Sequence, residues 1–367
     1  MFEQSHSSYP SYIERGGEQT YSPPYMAQGA KLYSFLLQAN RKSLQALCDK
    51  YLNQPTGGIT NYQPVLPYVF LVFADIEREY SMQEPDRQRG WMPEINVAFW
   101  ILTASSKQVG GVQIPVHFAW FMPYIFVDNI FTLISGREVF GFHKALGQFV
   151  LPPFQKHADF FAADTATVAR FSSQAKIAWN HLLEVRRVDR SDKNPYLPRW
   201  HDLSEASSQI GQLLARQTGG LLGSTWEQMI NLLKVMNFAT SPIVFLKQFR
   251  DVRDTHLACY QAIVETSIKF HDFRSGGFLA GDYELTLNHF DSHPIAQELG
   301  LTVGNQKIVA AFWFDLDFAI EPGLEVWKSS DRADKLKNTD KAINTANGKS
   351  RSFIRNAVSK LFHSSSP

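Results

Sequence analysis

The sequence predicts a mainly β protein of the α+β class, with a curved or barrel-like antiparallel sheet, peripheral helices and one helical insertion. The first observation behind this prediction is that strand-like apolar segments recur through both halves of the 367 residues. The second is composition, since aromatic residues reach 13% and charged residues only 19%, against about 25% charged in an average soluble protein. This composition excludes a disordered chain and supplies ample side chains for a core.

The first half predicts a strand and a helix followed by three strands. Residues 30–52 begin with alternating apolar residues and continue at helical spacing, which predicts a strand and then a helix. After a loop at 54–63, the nearly all-apolar segment 65–74 is typical of a strand buried on both faces. Residues 95–103 and 113–120 are separated by a glycine-containing turn, which predicts a hairpin.

The second half predicts further strands around an insertion. Residues from about 200 to 238 have helical apolar spacing interrupted by glycines, which predicts a helical insertion. The strand-like segments are 168–177, 244–248, 256–267, 283–287 and 308–320. Strands therefore dominate both halves of the chain.

The ends of the chain differ from its centre, so we predict a domain at 30–328 flanked by an arm and a tail. Residues 1–29 open with polar residues rather than a basic and then apolar stretch, which predicts a flexible arm and excludes a secretory signal. Residues 329–367 form a basic, partly disordered tail, in which 331–367 hold eight Lys and Arg against three Asp. Apolar residues on one side of a helix in this tail allow contact with a membrane surface or a partner, and a solvated tail is the alternative.

Charge and cysteine content exclude several classes of function. The 36 Lys and Arg nearly balance the 35 Asp and Glu, so no global field favours nucleic acid. Two cysteines cannot build a disulfide scaffold or a cysteine-rich zinc site, and a cytoplasmic, reducing location fits best. The apolar runs 65–74 and 118–127 are far shorter than the roughly 20 residues of a transmembrane helix. Metal-ligand spacing and phosphate-binding glycine motifs are also missing.

The richest chemical signal is the segment 127–147, VDNIFTLISGREVFGFHKALG. Its pattern predicts a strand ending near Ile134 and a short helix starting near Gly136. Lys144 follows, close in sequence to Phe140 and Phe142. An ammonium group removed from water loses solvation, and a neutral lysine can attack a carbonyl to form a Schiff base. The alternative is an exposed lysine in a helix cap and turn.

The GREVFGFHKALG segment resembles the lysine motif of the acetoacetate decarboxylase superfamily, which runs Gly-Arg-Glu, an aromatic or small pair, then Pro-Lys-Lys. Upstream, MPEIN resembles the active-site glutamate segment of that family, and PYIFVDNIFTLISGRE resembles its strand leading into a helix. Downstream, GGFLAGDYELTLNHFDSHPIAQELG and AAFWFDLDFAIEP resemble its late strands. The resemblance covers about residues 30–327, without the insertion and both tails, and implies the acetoacetate decarboxylase-like fold.

The resemblance assigns roles to individual residues. Lys144 takes the position of the Schiff-base lysine and Glu94 that of the carboxylate beside it, with no cofactor and no metal. The residues assigned to substrate binding are Arg137, Glu138, Phe142 and His143. The resemblance also implies a small keto-acid substrate and a homo-oligomer.

Four departures from the family pattern bear on function. The second lysine, a neighbouring cation associated with activating the first, is Ala145, and the preceding proline is His143. The early arginine of the family falls near Ala30, with Lys31 beside it, and its other acidic residue falls near Val69. Efficient acetoacetate decarboxylation is therefore less assured than Schiff-base chemistry itself.

Two classes of function follow from these residues. The first is a cofactor-independent carbon–carbon lyase, decarboxylase-like, that acts on a β-keto acid or related keto acid through Lys144, with Glu94 or His143 moving the proton. An aldolase or dehydratase is a variant of this hypothesis. The second is a catalytically silent ligand-binding protein on the same fold, which the replacement at Ala145 favours.

Overall fold

The computed structural model describes residues 10–13, 20–109, 112–154, 157–189, 199–217 and 242–329. Most of these residues form strands. The strands are β1 Tyr25–Gln38, β2 Tyr62–Pro64, β3 Tyr68–Ser81, β4 Met92–Val109, β5 Val112–Val127, β6 Lys144–Val150, β7 Phe160–Thr167, β8 Ala178–Arg187, β9 Ile243–Arg250, β10 Ala258–Thr266, β11 Ile268–Phe278, β12 Tyr283–Leu287, β13 Gly304–Lys307, β14 Ala310–Ile320 and β15 Leu324–Lys328. The α-helices are α1 Arg41–Cys48, α2 Ile130–Ser135, α3 Leu203–Gln217 and α4 Ile295–Leu299. π-helical turns at Asp49–Asn53 and Gly136–Phe140 continue α1 and α2.

The strands form one large sheet with a continuous path of pairing. Its order is β11-β14-β1-β3-β4-β5-β6-β7-β8-β12-β13, with β2, β9, β10 and β15 paired beside this path. The predicted mainly β fold with peripheral helices is confirmed. The sheet is mixed, because β5 pairs in parallel with β6 and with β9 while the other pairs between the strands are antiparallel. A helical crossover between β5 and β6 makes the parallel pairing sterically accessible, and in the described ranges the path stays open rather than closing into a barrel.

The central strands bury both of their faces. Odd-numbered side chains of β1, β3, β4 and β14 pack into the main core, where α1 and α4 also lie. Phe35 makes edge contacts there with Phe73 at 6.0 Å and with Phe161 at 5.0 Å between ring centroids. Burying one such side chain contributes about 1.5–3 kcal/mol. The even-numbered side chains line the other face, where the cavities described below are found.

Matched irregularities in β1 and β3 exchange these faces near one end of the sheet. The register of β1 against β14 shifts between Ala27 and Ala30, and that of β3 against β4 shifts between Ile76 and Glu79. An inserted residue reverses the alternation of a strand. Ile76 and Glu79, three residues apart, therefore line the same cavity. Gly29 lies at the irregularity with a left-handed φ of 68°, which glycine adopts without a Cβ clash.

Two local predictions are wrong. The segment 168–177 is a loop between β7 and β8, where the backbone N–H groups of Val168 and Phe171 donate to Ser292 and Asp291 side chains rather than to a strand. β5 ends at Val127 and α2 begins at Ile130, earlier than predicted. The start signal was Asn129, whose side chain accepts a hydrogen bond from the Phe131 N–H at 2.9 Å as an N-cap.

The predicted arm, insertion and tail lie only partly within the described residues. β1 starts at Tyr25, and α3 falls within the predicted insertion at 200–238. The basic tail at 331–367 and its predicted helix lie outside the described residues. In the part of the chain that the structure describes, no helix combines the length and hydrophobicity needed to cross a membrane.

We expect Gly29→Ala to destabilise the protein by more than about 1–2 kcal/mol, the cost of a left-handed conformation for a residue with a Cβ. A methyl group there would also lie 2.7 Å from Oε2 of Glu77. The matched control is Gly58→Ala, where φ is also left-handed and no atom lies within 4 Å of the added carbon. Urea unfolding of the two variants measures the difference, and equal destabilisation would show that β1 tolerates a side chain at this point.

Candidate active site

A small cavity lies between the ends of the central strands and α2. Its volume is about 70 Å³. Three of its lining residues carry ionisable charges, namely Lys144, Glu94 and Glu79. Most of the remaining wall is apolar and includes Tyr25, Trp100, Met122, Ile125, Phe140, Phe142 and Phe318. Charged groups are thus enclosed by a surface that offers them little solvation.

Lys144 is the first residue of β6 and pairs with Ile125 of β5. Its side chain is only 8% exposed, and Nζ donates a hydrogen bond to Oε2 of Glu94 at 3.1 Å. Nζ also lies 5.4 Å from the centre of the Phe142 ring, a distance at which a cation and an aromatic face attract. The lysine is therefore held in place by a charge and a ring.

Glu94 of β4 has a donor on each carboxylate oxygen. Oε2 accepts from Lys144, and Oε1 accepts from Nδ2 of Asn96 at 2.6 Å. Glu94 is 3% exposed, so removing either charged partner would leave the other buried and uncompensated. Sequence reasoning missed Asn96, although the period of two within MPEIN places residues 94 and 96 on one face of a strand.

Glu79 of β3 is the third ionisable group and was also missed. Burial raises the pKa of Glu79 to about 8, the charge of Glu94 adds to the rise, and the charge of Lys144 opposes it. The carboxyl group therefore keeps its proton at neutral pH, close to a buried ion pair. Val69, near which the other acidic residue of the family falls, is fully buried in the main core and does not line the cavity. The irregularity in β3 brings Glu79 to the site, and simple alternation cannot reveal it.

The turn after α2 encloses the lysine from the other side. A Cβ on Gly136 would lie 2.8 Å from Cδ and 3.4 Å from Nζ of Lys144, so the absence of a side chain allows this close approach. The Gly136 carbonyl accepts hydrogen bonds from the N–H groups of Gly141 and Phe142, both at 3.0 Å. Nη1 of Arg137 donates to the Lys144 carbonyl at 3.0 Å. The motif thus positions Lys144 through its backbone as well as its side chain.

The structure separates the residues assigned to substrate binding. Phe142 lines the lysine cavity and also a separate, larger groove of about 660 Å³, whereas Arg137, Glu138 and His143 line only that groove. Lys31, the candidate substitute for the early arginine of the family, forms an ion pair with Glu77 instead. No arginine from the described ranges lines the lysine cavity. Substrate binding by Arg137, Glu138 and His143 stays a prediction.

The described residues offer no group of three or more His, Cys, Asp or Glu side chains that could hold a metal ion. The ionisable groups that line the site are instead one amine, two carboxyl groups and the phenol of Tyr25. Together they can form a covalent adduct and move protons.

The fold of this chain has counterparts among solved structures. No family model and no curated protein matches the sequence. An acetoacetate decarboxylase from Legionella pneumophila matches the structure with a TM-score of 0.53 and 15% identity over 88% of this chain and 93% of that one. The chain has the acetoacetate decarboxylase-like fold.

Two further solved structures with this fold agree. Another acetoacetate decarboxylase structure gives a TM-score of 0.50 and 13% identity over 86% of this chain and 93% of that one. The enduracididine biosynthesis enzyme MppR gives 0.50 and 10% identity over 84% and 90%. The resemblance found in the sequence is therefore confirmed at the level of the acetoacetate decarboxylase-like fold, and identities this low support the fold alone.

We expect Gly136→Ala to destabilise the protein by about 1–3 kcal/mol, the usual effect of an extra methyl group in a packed site. The added carbon would push Lys144 away from Glu94. Because the clash is with the lysine side chain, the cost should shrink sharply in a Lys144→Ala background. A double-mutant cycle measured by urea unfolding tests this coupling, and additive costs would contradict it.

We expect Glu79 to make stability depend on pH. Its pKa of about 8 in the folded protein lies above the value of about 4.3 for an ordinary glutamate. Between these values the folded state holds a proton that the unfolded state releases, so the contribution of Glu79 to stability falls as pH rises. Glu79→Gln should therefore gain stability relative to wild type between pH 5 and pH 9.

Urea unfolding at both pH values measures this difference, with Glu77→Gln as the control. Glu77 lies two residues earlier in β3, and its side chain is 59% exposed. A gap between Glu79→Gln and wild type that stays the same at pH 5 and pH 9 would show that the carboxyl group titrates normally.

Proposed function

We propose that the protein is a cofactor-independent carbon–carbon lyase, decarboxylase-like, that acts on a β-keto acid or related keto acid through a Schiff base at Lys144. The observation that carries the proposal is the buried amine of Lys144 at 3.1 Å from Glu94 in a small, largely apolar cavity. The acetoacetate decarboxylase-like fold supports it, because solved structures with that fold include acetoacetate decarboxylases.

The first step forms the imine. Transfer of a proton from Nζ of Lys144 to Oε2 of Glu94 leaves a neutral amine, which attacks the substrate carbonyl carbon. The resulting carbinolamine loses its hydroxyl group as water, and Glu94 returns the proton that this departure requires. The product is a protonated imine between Lys144 and the substrate.

The second step breaks the carbon–carbon bond. The electrons of the bond to the carboxylate move into the protonated imine as carbon dioxide leaves, which gives an enamine. The protonated carboxyl of Glu79 is suited to give its proton to the enamine carbon, because its pKa of about 8 lies close to neutral pH. Hydrolysis of the new imine then releases a ketone and restores Lys144.

The replacement of the second lysine by Ala145 leaves the charges of the cavity intact. Successive residues of a strand point to opposite faces, and Ala145 packs against the main core while Lys144 lines the cavity. A cation at position 145 would therefore lie on the far side of β6. The replacement of the second lysine by Ala145 is therefore a weaker argument against Schiff-base formation at Lys144 than the sequence alone suggests.

A catalytically silent ligand-binding protein is the second candidate. The observation in its favour is that no arginine of the described residues lines the lysine cavity, so a substrate carboxylate would have Lys144 as its main cationic partner. An aldolase or dehydratase on the same scaffold would share imine formation with the lyase. Trapping of the imine therefore separates the enzyme hypotheses from the binding hypothesis.

Location and assembly are proposals of the same kind. Cys48 is buried, Cys259 is exposed, and both are free thiols, which supports a reducing compartment such as the cytoplasm. We also propose that the protein forms a homo-oligomer, because the family resemblance implies one.

We expect borohydride to trap an adduct on Lys144 when the protein is incubated with acetoacetate, pyruvate or longer keto acids. Reduction converts the imine to a stable secondary amine, so intact mass measures the adduct and peptide mass spectrometry locates it. Lys144→Ala should abolish the adduct.

The matched control is Lys247→Ala. Burial also lowers the pKa of Lys247, but its Nζ donates to the Val139 carbonyl at 3.0 Å outside the lysine cavity. This variant should keep the full adduct. Failure of every carbonyl compound to give an adduct on wild type would favour the binding protein.

A further inference from the structure

A second cavity adjoins the lysine cavity on the even-numbered face of the sheet. Its volume is about 190 Å³. The two cavities share four wall residues, namely Asn96, Trp100, Ile268 and Phe318. A ligand at Lys144 therefore has the larger space directly beside it.

The walls of this second cavity are almost wholly apolar. Every strand residue that lines it carries an even number, including Phe70, Val72 and Ala74 of β3 and Phe312 and Phe314 of β14. The regular alternation of the strands thus places one set of rings in the main core and another around this space. Such a surface favours hydrocarbon over water or charge.

Helix α3 covers one side of the cavity. Leu203, Ala206 and Ile210 of α3 contribute to the wall, and their spacing of three and four residues puts them on one helical face. The helix belongs to the segment that the family resemblance leaves out. Part of the cavity wall is thus formed by a segment that lies outside the resemblance.

The sizes of the two cavities suit different parts of one molecule. A cavity of about 150 Å³ lined by apolar side chains is enough to bind benzene, so about 190 Å³ accommodates an aromatic ring or a short alkyl chain. The space of about 70 Å³ at Lys144 suits a carbonyl head group. Acetoacetate or pyruvate would leave the larger space empty.

We propose that the second cavity binds the apolar chain or aryl group of a carbonyl substrate whose carbonyl carbon reacts with Lys144. The substrate class is then a medium-chain or aryl-substituted keto acid. This inference rests on the proposed imine chemistry for the identity of the head group, and on the apolar walls for the tail.

The test is borohydride trapping on Lys144 with a series of 2-oxo acids from pyruvate to 2-oxooctanoate, together with 4-phenyl-2-oxobutanoate. Each buried methylene should lower the concentration for half-maximal trapping about fourfold, until the cavity is filled. Ala206→Phe, which fills the cavity from α3, should remove this gain while leaving trapping by pyruvate within about twofold of wild type.

Two further variants serve as a second cavity-filling change and as an exposed control. Ser34→Phe enters the same cavity from β1 and should reproduce the effect of Ala206→Phe, which covers the case in which one variant fails to fold. Gln212→Phe adds the same ring to an exposed position of α3 and should keep the dependence on chain length. Equal trapping across the series in wild type, or an unchanged series in both cavity variants, would overturn the proposal.

A ligand without a carbonyl group tests the apolar cavity independently of the proposed imine chemistry at Lys144. Calorimetry with 2-nonanol, which cannot form an imine, measures the apolar cavity alone. Binding to wild type and its loss in Ala206→Phe would support the cavity even if no adduct forms, and would then refute only the imine chemistry. Adducts with short keto acids, no gain with length and no binding of 2-nonanol would refute the tail cavity and leave the imine chemistry standing.

Discussion

The buried ion pair between Lys144 and Glu94 is the interaction on which the candidate site depends. Two opposite charges removed from water are costly unless each is closely paired and further hydrogen-bonded. Lys144 and Glu94 meet that requirement at 3.1 Å, with Asn96 on the second carboxylate oxygen and the Phe142 ring beside the amine. Gly136 approaches the lysine side chain so closely that even a methyl group would not fit between them. The surrounding elements therefore offset the cost of burying the amine of Lys144 in an apolar environment.

One sheet serves two purposes because its strands alternate. Along most of β1, β3, β4 and β14, odd-numbered side chains form the main core and even-numbered side chains face the cavities. Where β1 and β3 are irregular, the alternation reverses and a carboxyl group enters the site. A stable scaffold and a chemically varied surface are thus obtained from the same strands.

Much of the fold could be predicted from local patterns, and the site only in part. Alternation and apolar runs identified β3, the β4–β5 hairpin and β12, since these depend on neighbouring residues. Lys144 and Glu94, fifty residues apart, were paired through the family resemblance alone. Glu79 was missed because an irregular strand obeys no period. The parallel pairs were missed because they depend on a crossover, and the wall formed by α3 depends on packing between distant segments.

Strand β6 pairs with two different strands along its length. It begins beside β5, where Lys144 pairs with Ile125, and continues a few residues later beside β7, where Gly147 pairs with Thr165. The backbone of Lys144 is thus anchored at the seam between two parts of the sheet and cannot shift without disturbing both. The four-carbon stem of Lys144 is then the part of this residue that can move toward a ligand. A ligand has to fit the position that the paired backbone sets for the amine.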